Sequence, residues 1–159
     1  MDTIWQELSF GFADTQQFIR VVIRLFAAII LGAMIGFERE RAGKDAGLRT
    51  HILVTLGTCS VVLACTGFDM TSEGLSRVVQ GIVTGIGFIG AGSILKVNEE
   101  RDIKGLTTAA GLWMTCAIGV AVGLGELGLA LICSVLALIV LGVLGKIEAI
   151  NPEKSNQND

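Results

Sequence analysis

Two short stretches hold most of the side chains able to do chemistry: Phe37-Glu38-Arg39-Glu40-Arg41 and, a few residues later, Gly47-Leu48-Arg49-Thr50-His51. In the first, acids and bases alternate. At helical spacing Glu38 is placed to pair with Arg41, which would quiet a helix end and nothing more. With Asp45 nearby, the remaining acids could alternatively supply oxygens to a Mg²⁺ ion that keeps several of its waters. His51, the single histidine of the chain, is either a group that titrates near neutral pH or a plain hydrogen-bonding side chain. Arg49 and Thr50 stand where an apolar helix begins, and free N–H groups there, beside the guanidinium, suit an anion or a carboxylate such as Glu38.

Residues 80–94 read QGIVTGIGFIGAGSI and contain Gly85-Ile-Gly87-Phe-Ile-Gly90, in form a dinucleotide-binding fingerprint. That fingerprint works only where a buried strand meets the start of a helix, so that glycines admit a pyrophosphate to free backbone N–H groups. Here Arg77 and Lys96 bracket an unbroken apolar run, residues 78–95, whose only polar side chains are Gln80, Thr84 and Ser93. As a helix rising about 1.5 Å per residue, the run spans roughly 27 Å, close to the hydrocarbon thickness of a bilayer. The glycines then belong to a membrane helix, where small residues let backbones approach. No dinucleotide or other cofactor is expected.

The elements that position these residues follow from composition. Of 159 residues, 52% are hydrophobic, 21 are Gly and one is Pro, and the mean hydropathy is +0.68. An ordinary soluble domain is less apolar, so the reading is a polytopic membrane protein. Four more apolar runs flank the first, at residues 18–37, 50–68, 106–124 and 127–145. The expected fold class is an all-α membrane protein of five transmembrane helices, with residues 1–17 as an extracytoplasmic segment, 18–145 as the membrane domain and 146–159 as a short cytosolic tail. No Lys or Arg precedes Arg20, so the start lacks the basic region of a cleaved signal peptide. Within residues 3–12, Ile4, Trp5, Leu8 and Phe12 recur at helical spacing, as in a helix lying along the outer interface.

Basic residues set the expected orientation. Arg39, Arg41, Lys44 and Arg49 lie between spans one and two, Lys96, Arg101 and Lys104 between three and four, and Lys146 and Lys154 in the tail. The opposite loops and the N-terminal segment hold none, which places the N-terminus outside and the C-terminus in the cytosol. The outer segments carry Asp2, Glu7, Asp14, Asp69, Glu73 and Glu126, a face that could concentrate cations weakly or merely reflect the charge rule. Cys59, Cys65, Cys116 and Cys133 all fall within spans, form no CxxC pair and read as small packing residues.

Laid on itself at an offset of 58, the chain aligns Gly32-Ala33 with Gly90-Ala91 and Gly47-Leu48-Arg49-Thr50 with Gly105-Leu106-Thr107-Thr108. Spans one and two therefore read as a diverged copy of spans three and four in the same orientation, with the fifth span outside the repeat. Small residues mark the expected contacts: Ala28, Gly32 and Gly36 on span one, Gly81, Gly85, Gly87, Gly90 and Gly92 on span three, and Gly111, Thr115, Gly119 and Gly123 on span four. These three helices are expected to form a close-packed centre. Arg20 and Arg24 continue the span-one ridge, and Gln80 shares an arc with Thr84, Gly87 and Ala91, so these polar groups are expected to face protein. They either bond helix to helix or line a polar pathway.

The runs GFERE and GLRTHILVTLG (residues 36–40 and 47–57), QGIVTGIGFIGAG (80–92) and GLTTAAGLW (105–113) resemble the membrane domain of the MgtC/SapB family. The resemblance covers residues 18–145, and several motifs in the same order make it specific. It implies a bacterial inner-membrane protein linked to growth in low magnesium and, in pathogens, to survival inside macrophages. Some members are implicated in restraining the proton-translocating ATP synthase, while magnesium transport is not an established activity of the family. Many relatives carry a cytosolic C-terminal domain with an ACT-like fold, and the polar tail at residues 151–159 is expected to lack it.

Three functional classes follow. A non-enzymatic regulator would act through helix contacts with another integral membrane protein or as a homo-oligomer, and needs a small-residue face left open to lipid. A channel or transporter for a cation or small solute needs polar groups lining a route, for which Arg24, Gln80, Thr84, Thr107 and Thr108 are the candidates. An enzyme is not expected, because no Asp or Glu lies mid-span and no Ser/His or metal-ligand set is visible there. No nucleic-acid partner is expected. The favoured working site is the cluster of Glu38, Arg39, Glu40, Arg49, Thr50 and His51, meeting Thr107 and Thr108 of the second hairpin.

Overall fold

The computed structural model describes residues 15–66, 70–96 and 103–145. Five helices follow one another: α1 (Thr15–Arg41), α2 (Leu48–Thr66), α3 (Ser72–Gly92), α4 (Leu106–Leu124) and α5 (Leu127–Ile139), the last running into a π-helical turn at Val140–Leu144. The first four are long and apolar enough to cross a membrane, and α5 is a shorter apolar helix. The α3–α4 connection adds a two-residue antiparallel ladder, β1 (Leu95–Lys96) with β2 (Ile103–Lys104), which hydropathy alone did not foretell. The interfacial helix expected at residues 3–12 and the tail from 146 onward lie outside the described residues.

The helix ends follow from local chemistry. At the end of α1, Gly43 adopts φ 67°, its N–H donates to Glu40 O at 3.0 Å and the Lys44 N–H to Arg39 O at 3.0 Å. This is a Schellman turn, in which a left-handed glycine lets two orphan carbonyls find donors. The same arrangement ends α4, where Gly125 has φ 92°, with Gly125 N–H to Val122 O at 3.0 Å and Glu126 N–H to Ala121 O at 2.9 Å. Thr71 caps α3 by accepting from the Gly74 N–H at 3.2 Å.

Packing centres on α1, α2 and α4, with α4 touching every other long helix. Half of the apolar window of α4 is buried inside the chain against 6% for α3, so α4 is the axis of the bundle and α3 its edge. Ala28, Leu31, Ile35, Cys59, Ile118 and Val122 make the core where the three central helices meet. Glycine sets their separation. A Cβ on Gly32 would strike Thr55 Oγ1 and sit 2.9 Å from His51 O, one on Gly36 would lie 2.7 Å from Leu48 Cα, and one on Gly123 would lie 2.7 Å from Val62 Cβ. Without Cβ atoms the backbones of α1 and α4 approach α2 closely and gain dispersion contacts.

The expected glycine centre is thus correct for α1 and α4 and needs correction for α3. Gly81, Gly85, Gly87 and Gly92 face open space, and only Gly90 packs, with its Cβ position 3.7 Å from Ala109. Gln80 and Thr84 are exposed on the same open face, contrary to the expectation that they point inward. Arg20 is exposed too, and donates to Gln16 at 3.4 Å. The two hairpins nevertheless share a contact: Gly32 meets His51 of α2, and at the same offset Gly90 meets Ala109 of α4.

Candidate functional site

The charged end of α1 folds around the start of α2. Because the Gly43 turn reverses the chain, the Glu40 carboxylate comes back to the first turn of α2 and accepts from the Leu48 N–H at 2.9 Å. Glu40 therefore does from eight residues away what an N-cap side chain does, and Gly47 makes room, since a Cβ there would lie 2.8 Å from Glu40 Oε2. The carboxylate expected at this helix start was Glu38; the structure assigns the part to Glu40.

Glu38 pairs with Arg39, not with Arg41 as spacing suggested. The Arg39 side chain, 3% exposed, donates through Nε and, at 2.7 Å, through Nη2 to the two carboxylate oxygens of Glu38. Its Nη2 also donates to Leu141 O at 3.2 Å. Leu141 lies in the π-helical turn after α5, where a π register leaves a carbonyl free to accept from a side chain. A buried, bidentate guanidinium thus ties the end of α1 to the end of α5, with its charge matched by the neighbouring acid.

Beside this pair, His51 is fully buried. Its Nδ1 lies 2.7 Å from Thr115 Oγ1 of α4, and that hydroxyl donates to Gly111 O at 2.8 Å. Two glycines make space for the ring: a Cβ on Gly36 would lie 3.0 Å from His51 Cβ, and one on Gly111 would lie 3.8 Å from Cε1. His51 Nε2 has no hydrogen-bond partner among the described residues. The neighbouring Thr55 donates its hydroxyl within α2, to His51 O and Ile52 O at 3.0 Å each.

At the other end, Arg24 donates from Nη1 to Gly123 O at 2.9 Å. Gly123 belongs to the last turn of α4, whose neighbouring carbonyls on Ala121 and Val122 are already met by the Schellman turn. Arg24 supplies a donor that the helix end lacks, and it sits where a Cβ on Gly125 would be. Arg24 therefore bonds helix to helix.

The sequence-predicted cluster is only partly assembled. Glu38, Arg39, Glu40 and His51 come together, while Arg49 is exposed and makes no ion pair among the described residues. Thr107 is exposed and Thr108 is buried, and no hydrogen bond joins either of them, or Thr50, to Glu38 or Arg39. The polar candidates for a pathway do not converge: Arg24 caps α4, and Gln80 and Thr84 lie on the outer face of α3. Among the described residues no three of His, Cys, Asp and Glu gather in a way that could hold a metal ion. Sequence reasoning missed the carbonyl of Leu141, which has no side-chain signal, and the link from His51 to Thr115, although Thr115 sits at the four-residue step of Gly111 and Gly119.

Comparison with known proteins agrees with this architecture. The sequence pattern of the MgtC family matches residues 25–150. YhiD of Escherichia coli (strain K12), named as a candidate magnesium transporter, is 45% identical over 129 residues, covering 77% of this chain and 59% of YhiD. SrpB of Synechococcus elongatus is 38% identical over 138 residues, 80% of this chain and 76% of SrpB. MgtC of Salmonella typhimurium (strain LT2) is 42% identical over 117 residues, 74% of this chain and 49% of MgtC. The match thus spans about half of MgtC and three-fifths of YhiD. No solved structure matches the chain. With a family pattern over most of its length and a bundle built from apolar helices, the chain belongs to the MgtC family and is a multi-pass membrane protein.

Proposed function

We propose that the protein is a non-enzymatic regulator of the bacterial inner membrane, serving adaptation to low magnesium through helix contacts with another integral membrane protein. The observation that carries this reading is the open face of α3. Gly81, Gly85, Gly87 and Gly92 have nothing near their Cβ positions, and Gln80 and Thr84 stand exposed among them. A lipid-facing glycine gains little contact with acyl chains, whereas a partner helix can approach it closely and can bond an amide or hydroxyl beside it. The family resemblance suggests the F-type ATP synthase as the partner to try first. The N-terminus is assigned to the outside and the C-terminus to the cytosol on the distribution of basic residues.

The test uses Gly81→Leu and Gly85→Leu. Both side chains have room within one copy, so each variant is expected to insert and keep its unfolding temperature while losing support of growth in low magnesium and losing a co-purifying membrane partner. Variants that grow normally would remove the face from the function. A homo-oligomer lost in the same variants would name a second copy as the partner. The transporter reading rests on the name of YhiD, and saturable Mg²⁺ flux by purified protein in liposomes would establish it over the regulator. The chain lacks a convergent polar route among its described residues, which favours the regulator.

A further inference from the structure

We infer that His51 is a buried proton-binding site: Thr115 holds its ring as the Nδ1–H tautomer, leaving the Nε2 lone pair to take the proton. The argument starts from the single hydroxyl hydrogen of Thr115. That hydrogen lies on the path to Gly111 O, at 2.8 Å, so the 2.7 Å contact with His51 needs its hydrogen from Nδ1. The rival arrangement puts the hydroxyl hydrogen on Nδ1 and a hydrogen on Nε2. It sets the Thr115 oxygen against Gly111 O with no hydrogen between them.

The surroundings fit a proton and not a metal. A metal ion would require further ligands, and none gather here. Beside the ring, α4 places Thr115 and the small Gly111, and on α2 the Thr55 hydroxyl is already used by the backbone carbonyls of His51 and Ile52. Charge comes from α1, where Arg39 and Glu38 lie within electrostatic reach, and the Ala46 backbone of the α1–α2 turn offers the ring a hydrogen-bond acceptor. When Nε2 takes a proton from a hydronium ion, an O–H bond breaks to leave water, an N–H bond forms and the ring becomes a cation. Glu38 then has two cations to serve, its present partner Arg39 and the imidazolium. Proton binding is thereby coupled to the guanidinium that ties α1 to Leu141 of the π turn.

A single histidine makes the test direct. The full chain, labelled with ¹⁵N in its imidazole and placed in lipid nanodiscs, gives one pair of ring nitrogen resonances. At neutral pH the Nδ1 signal is expected in the protonated range and the Nε2 signal in the unprotonated range, and on acidification Nε2 gains its hydrogen while the helices stay folded. Thr115→Val, similar in shape, should shift the ratio of Nδ1–H to Nε2–H about five- to tenfold toward Nε2–H, the effect of one buried hydrogen bond. Thr115→Ser should keep the wild-type ratio. A wild-type ring protonated at Nε2, an unchanged ratio in Thr115→Val, or a ring that takes no second proton before the protein unfolds would each overturn the inference. The wild-type spectrum decides the tautomer even if Thr115→Val fails to fold.

Discussion

Gly119 offers the sharpest test of how the bundle is built. An ideal Cβ there falls on Thr58 Oγ1 and lies 2.6 Å from Thr55 O and 3.0 Å from Thr55 Cα. The hydroxyl could rotate aside, but the Thr55 backbone belongs to α2 and cannot. Restoring ordinary contact, near 3.4 Å, requires α2 and α4 to part by roughly 0.8 Å. A gap of that order forfeits between a quarter and a half of each affected dispersion contact, and overpacking of this kind costs about 1–3 kcal/mol. Gly119→Ala should therefore lower stability by about 1–3 kcal/mol. Gly85→Ala, which adds the same methyl group where nothing lies within 4 Å, should leave stability unchanged or raise it by up to about 1 kcal/mol through helix propensity. Reversible unfolding of both variants in mixed detergent–lipid micelles measures the difference. Equal losses at the two positions would refute the assignment of α4 to the centre and α3 to the edge.

Three further outcomes follow from the same contacts. Arg24→Ala removes the donor to Gly123 O and should cost about 1–2 kcal/mol, with faster hydrogen exchange confined to the α4–α5 turn. Glu40→Gln keeps the shape of the α2 cap but removes its charge from the helix start; a loss of about 0.5–1 kcal/mol is expected, and an unchanged stability, with only Glu40→Ala destabilising, would argue against a dipole contribution. Cysteines placed at Ser72 and Ser155 should label from opposite sides of the membrane, and labelling of both from outside would overturn the proposed topology.

Much of this protein is a property of its local sequence. Length and hydropathy are sums over contiguous residues, so the spans could be read directly, and the span at 106–124 coincides with α4. The identification of the glycine run at 85–90 as helix also needed only its apolar surroundings. Helix ends were less legible, because α1 continues to Arg41 on charged residues that hydropathy discounts.

Tertiary structure decided which faces pack, and the reason lies in the solvent. Lipid tails are as apolar as leucine, so neither hydropathy nor small residues distinguish a face that meets protein from one that meets lipid. Gly119 and Gly85 look alike in the sequence, yet one abuts Thr55 and the other lies open. The charged end shows the same limit. Neighbouring residues on a helix normally diverge, and Glu38 joins Arg39 in a setting where the guanidinium also meets Leu141 of a π turn 102 residues away. Glu40 reaches Leu48 only because Gly43 turns the chain back. His51 meets Thr115 through the register between α2 and α4, and that register comes from glycines admitting one backbone to another, a three-dimensional fit that no periodicity in either helix records.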